Sequence, residues 1–136
     1  MPNLSKSKYI TYCQCPKALW LKQYKPEEMV IDPLTQARFD AGTEVGELAK
    51  RLFGDFVEAT TYKTAADGTQ RLDLGAMAAA TQKALAEGAE NIAEAAFIYD
   101  GCYCAVDLLH KTPHGYAIYE VKSSTDLKEL EVYAQD

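Results

Sequence analysis

The sequence predicts an α+β domain in which a helix packs on a sheet built mainly from antiparallel hairpins. Three observations predict it. Glu94–Tyr99, Cys102–Leu109 and Tyr116–Lys122 are apolar runs rich in aromatic and branched residues, separated by Asp100-Gly101 and by His110–Gly115, the pattern of strands joined by turns. Leu34, Ala37, Ala41, Val45, Leu48 and Leu52 recur at helical spacing. Leu74–Glu87 is Ala-rich with few breakers and reads as a second long helix ending at Gly88.

Taken in order, Ser5 or Ser7 is placed to cap a short helix carrying Tyr9, Ile10 and Tyr12. Cys15-Pro16 opens another helical segment, with the proline suited to its first turn and Ala18, Leu19, Trp20 and Leu21 as an apolar anchor. Residues 24–31 form a linker. Asp32-Pro33 is a helix start and Gly54 a helix stop. Gly42 and Gly46, four apart, make a smooth strip suited to lying against the sheet. Residues 56–62 suggest an extra edge strand, and the polar stretch 64–72 reads as a loop. After Lys122, residues 123–126 offer several caps and the chain is helical in pattern from Leu127 onward.

The hairpins gather acids. Asp-Gly between two strands is the signal of a two-residue turn. Pairing Tyr99 with Cys102 sets Glu94 across from Asp107 on one face. Pairing Leu109 with Tyr116 sets Asp107 opposite Ile118 and makes Glu120 its diagonal neighbour, roughly 7–8 Å away. Slipping that pairing by one residue would turn Glu120 to the other face. Three carboxylates so close repel, and one is driven to take a proton unless a cation intervenes. Hard oxygen donors in this number suit Mg2+ or Mn2+. Lys122 beside them is placed to orient a water or to neutralise charge at phosphorus.

At 136 residues the chain is one domain by size, 48% hydrophobic, with no apolar run of membrane-spanning length. The N-terminus lacks the apolar segment of a signal peptide, so a cytoplasmic protein is expected. Disulfides among Cys13, Cys15, Cys102 and Cys104 are not expected there. Their Cys-x-Cys spacing is narrower than that of structural zinc sites, and Cys102 and Cys104 are read as packing residues. The net charge of −6 argues against a generic nucleic-acid binder. Its distribution is uneven, however: residues 1–26 hold five lysines and no acid. Lys6, Lys8 and Lys17 of this basic helical segment are candidates for phosphate contacts, although charge alone favours a solvated lysine face. His110 and His114 fall in a hairpin loop; a phosphate contact from His110 competes with simple solvation.

Asp107 followed by Glu120-Val121-Lys122 resembles the Asp…Glu-x-Lys signature of the PD-(D/E)XK nucleases. Leu4–Lys8, Cys15–Leu21, Gly42–Ala49, Glu94–Phe97 and Glu120–Thr125 follow in the order found in the RecB-type branch, near the CRISPR-associated exonucleases. The likeness spans nearly the whole chain and is greatest to the N-terminal nuclease core of a poorly characterised bacterial family. The resemblance implies a restriction-endonuclease-like core and Mg2+- or Mn2+-dependent hydrolysis of DNA. It makes Asp107, Glu120 and Lys122 catalytic, with Glu94 supporting the metal. The RecB-type pattern Gly-x-x-x-His places Gly46 where a histidine ligand belongs; Glu47 or Glu44 is the nearest substitute, against a solvated helix face for both.

In that family a cysteine at the position of Cys15 joins three later cysteines around an iron–sulfur cluster. One thiolate cannot hold a four-ligand cluster, so Cys15 is a ligand only in a longer chain. The family core also continues with a Gln-x-x-x-Tyr helix and a further strand. Here Gln135 has no tyrosine after it and the chain stops at Asp136. A domain incomplete at its C-terminus is expected, either part of a longer protein or completed by another chain at the open sheet edge. The alternative to a nuclease is a catalytically inactive, nuclease-like module that binds nucleic acid or serves as a scaffold.

Overall fold

The computed structural model describes residues 4–124. The expected helix from Leu127 and the expected role of Gln135 lie outside the described residues. The chain is α+β. In order it forms β1 (Leu4–Ser5), α1 (Lys6–Gln14), α2 (Pro16–Tyr24), a 3-10 turn (Pro26–Glu28), α3 (Pro33–Ala49), β2 (Val57–Glu58), β3 (Tyr62–Thr64), β4 (Gln70–Leu72), α4 (Leu74–Ala86), β5 (Asn91–Tyr99), β6 (Cys102–Thr112) and β7 (Gly115–Tyr119). No helix among the described residues is long and apolar enough to cross a membrane.

Local chemistry sets the helix starts. The Ser5 hydroxyl accepts from the Lys8 N–H at 3.2 Å, and Asp32 Oδ1 accepts from the Leu34 and Thr35 N–H groups, each at 2.9 Å. Asp73 caps α4 through the Ala76 N–H. Each satisfies a donor that the helix itself cannot pair. Pro16 and Pro33 occupy first turns, where no N–H is needed.

The main sheet is mixed. β5 and β6 pair antiparallel, β2 lies parallel on the outer side of β5, and β6 carries both β1, parallel, and β7, antiparallel, along its other edge. Tyr99 pairs with Cys102, as the Asp100-Gly101 turn predicts; both turn residues have positive φ, the conformation such turns require. The second hairpin corrects the expectation. Leu109 pairs with Ile118, not Tyr116, and the strands run on to Thr112 and Gly115 around a two-residue Pro113-His114 turn. The shift is two residues, so every side chain keeps its face. β7 ends at Tyr119, so Glu120 lies just past the last paired residue and is not on the ladder with Asp107.

Among the described α-helices the one that buries residues is α4, through Met77, Thr81 and Ala84. Ala84 joins Ala59, Ile92, Ala95, Val106 and Leu109 in the core. The Thr81 hydroxyl donates to the Met77 carbonyl and accepts from the buried Ala96 N–H at 2.8 Å. Helix α3 corrects two expectations. It ends at Ala49, short of Gly54, and none of its residues is buried; Leu34 and Leu48 remain 64% and 70% exposed. Gly42 and Gly46 do not seat the helix on a strand: a Cβ at Gly46 would meet nothing within 4 Å, and one at Gly42 only the Ser123 hydroxyl, at 3.8 Å. Periodicity identifies the helix but says nothing of how closely its partner stands.

Residues 64–72 are not a plain loop. β3 and β4 form a separate two-stranded hairpin. His110 is also relocated. It lies within β6, its Nδ1 2.7 Å from Asn91 Oδ1 and its ring stacked on Phe53 at 4.0 Å. The Asn91 amide donates to the Phe53 and Asp55 carbonyls. This histidine ties the segment after α3 to the sheet and makes no case for a phosphate contact. Cys104 is half-buried, as a packing residue would be, but Cys102 is exposed.

Candidate functional site

Along β5 and β6 the alternation of side chains breaks at one step. Ile92 and Ala95 both enter the α4-side core, as do Val106 and Leu109. Residues three apart share a strand face only where the pleat is interrupted. The interruption is Glu94 with Asp107. The ladder pairs Ala93 with Leu108 and Ala95 with Val106 but omits the step between them, and Glu94 has φ 54°. A non-glycine residue held there costs about 1–3 kcal/mol, and such strain collects at functional positions.

Both acids face away from α4, into a cleft of about 450 Å3 between the sheet and α3. Arg38, Gly42, Gly46, Glu47 and Lys50 line it from the helix side, with Val121 beside Asp107. Asp107 Oδ2 accepts the Val121 N–H at 2.6 Å, which fixes the segment that follows β7. Burial, reinforced by the Asp107 charge, pushes the Glu94 carboxyl above its ordinary pKa, with Lys50 partly offsetting. Two acids on one wall therefore repel; the sequence predicts three, but Glu120 is not among the residues that line the cleft.

Glu120 stands at the gap between the ends of β1 and β7 on the edge of β6. Its carboxylate is 2.9 Å from Lys6 Nζ and 2.8 Å from Lys122 Nζ, and it does not line the cleft. Lys6 is thus brought to the predicted site by β1, while Lys8 and Lys17 lie on the α1–α2 hairpin away from these contacts. Glu47 does line the cleft, but its carboxylate is held by Lys50 at 2.7 Å. Glu44 is exposed and takes no part in lining it. Cys15 is exposed at the N-cap of α2.

Lys50 is the residue that sequence reasoning missed. It bridges Glu47 and Glu58, the latter at 2.8 Å. Burial opposes its charge, yet the two carboxylates more than compensate and hold its pKa above the ordinary lysine value. Glu58 moves oppositely: burial would raise it, but Lys50 and Thr60 keep it below the usual carboxylate range. The i,i+3 spacing of Glu47 and Lys50 was a signal. So was the spacing of Arg38, Gly42 and Gly46, which puts them on one helix face.

Among the described residues no three His, Cys, Asp or Glu side chains stand together at ligand spacing. Glu94 and Asp107 nevertheless fit a hard divalent cation by chemistry: oxygen donors, one wall, mutual repulsion. The chain matches no family model, no curated protein and no solved structure.

Proposed function

We propose that the chain carries the core of a metal-dependent nuclease of the RecB-type PD-(D/E)XK kind, with a restriction-endonuclease-like arrangement of hairpins and helix, acting on DNA phosphodiester bonds. The observation that carries this reading is the unpaired Glu94–Asp107 step, two acids turned from the ladder into one cleft, with Glu120-Val121-Lys122 tied to Asp107 through the Val121 N–H.

Asp107 and Glu94 would hold Mg2+ or Mn2+; Glu120, outside the cleft, would join them only by leaving both Lys6 and Lys122. The ion would supply charge stabilisation at phosphorus and a more acidic water. Lys122, 36% exposed on its side chain, is within reach of a phosphate oxygen that approaches Glu120 and would neutralise charge developing there. Arg38 gives the opposite wall a positive charge to face the backbone of a nucleic acid, whereas the Lys50 charge is taken up by Glu47 and Glu58. Lys6 released from Glu120 would add a phosphate contact.

The second reading, an inactive nuclease-like module, is favoured by one observation: both Lys6 and Lys122 are engaged by Glu120. Mn2+-dependent digestion of labelled single- and double-stranded DNA separates the two. Cleavage by the wild type that falls about 10²–10³-fold in Lys122→Ala supports the nuclease. DNA binding without cleavage in either protein supports the inactive module.

A further inference from the structure

We infer that the α1–α2 hairpin forms a groove that binds single-stranded nucleic acid by stacking its bases on aromatic side chains. This deepens the proposed function by naming the form of the substrate, and binding is read without cleavage, so the failure of either leaves the other standing.

The groove, about 590 Å3, is lined by Lys8 and Tyr12 of α1 and by Trp20, Gln23 and Tyr24 of α2. Four-residue spacing puts Lys8 with Tyr12, and Trp20 with Tyr24, on facing sides of the two helices. Tyr12, Trp20 and Tyr24 are 55%, 52% and 65% exposed, and neither helix buries a residue. The Trp20 and Tyr24 rings lie 5.6 Å apart at 40°, tilted rather than stacked on one another, and both line the groove. Exposed aromatic area of this size is costly in water unless a partner covers it.

Charge selects the partner. Residues 1–26 contain five lysines and no acid. Lys6 is paired with Glu120 and Lys25 with Glu27, whereas Lys8, Lys17 and Lys22 have no ion pair among the described residues. Lysines flanking open π-faces match a chain that alternates phosphate with base, and a duplex, whose bases are already stacked, cannot use the rings. α1 also runs between the groove and Glu120, because Lys6 at its start contacts Glu120 while Lys8 lines the groove.

Trp20 is the only tryptophan, so its fluorescence reports the groove directly. The full chain is titrated in EDTA with oligothymidylate and oligouridylate of about 16 nucleotides, the upper range of single-strand site sizes. Saturable quenching is expected with both, and the affinity should fall with salt at a slope of about −2, as for three neutralised phosphates. Tyr24→Ala should weaken binding about tenfold and Tyr24→Phe should restore it. Lys8→Ala should reduce the salt slope by about 0.7. Equal quenching by duplex of the same length, no quenching by either oligonucleotide, or a Trp20 shift with anionic phosphatidylserine vesicles and none with oligonucleotide would each overturn the inference.

Discussion

Asp107→Asn is expected to abolish Mn2+-dependent DNA cleavage while leaving the fold in place. Asparagine keeps an oxygen to accept the Val121 N–H, now bonded at 2.6 Å, so the segment after β7 stays where it is. What disappears is the negative charge facing Glu94. Partners that merely orient a metal ligand cost about 10–100-fold when removed; loss of a ligand itself should exceed that. The check is cleavage of labelled DNA at equal protein concentration, together with circular dichroism to show an unchanged fold. Full activity in this variant would remove Asp107 from the chemistry.

The second large effect is on Glu94, and it has opposite signs with and without metal. The Glu94 carboxyl is raised by burial and by Asp107. The native state therefore holds this proton more tightly than the unfolded chain does. The corresponding stability is fully present below the unfolded value, about 4.3 for glutamate, and is lost as pH rises through the folded value. Glu94→Gln removes a repelled charge, so in EDTA at neutral pH its Tm should be higher than that of the wild type, and this component of the pH dependence should vanish. Added Mn2+ should reverse the order. Binding at a hundredfold excess over Kd stabilises the wild type by about 2.7 kcal/mol, a shift of several degrees, and should do much less for Glu94→Gln. Thermal melts from pH 4 to 8 with EDTA or Mn2+ decide it. Identical melts for the two proteins throughout would contradict the description of Glu94 as one of a repelled pair.

How much of this is legible in the sequence depends on whether the deciding interaction is local. Asp100-Gly101 sets its turn by backbone preference, so the Glu94-to-Asp107 relation follows from counting. The second turn misleads because Lys111 and Thr112 are polar and sit before Pro113, a combination that looks like loop. Yet a two-residue error preserves facing only along the paired residues, Leu108 to Thr112; Glu120 follows the last of them, and its carboxylate goes to Lys6 and Lys122 outside the cleft. Asp67-Gly68 carries the same turn signal as Asp100-Gly101, but its flanking strands are exposed and polar, so they lack the apolar alternation that marks a strand.

Long-range features are less accessible. Helix α3 follows from its period, but its standing off from the sheet across a cleft does not, because the same stripe would serve a close packing. The positive φ at Glu94 has no sequence signal at all: nothing about a glutamate announces a left-handed backbone. Lys50 is hidden for a similar reason, since Glu58 reaches it only through the parallel pairing of β2 with β5. The Lys6–Glu120 ion pair is of the same kind, created where β1 and β7 end on one strand edge.

Calorimetric titration of Mn2+ into the wild type and Asp107→Asn tests most directly whether the acids of the cleft exist to hold a cation. Saturable binding to the wild type that weakens at least about tenfold in the variant is the predicted result. No binding to the wild type, or binding that Asp107→Asn leaves unchanged, would contradict it.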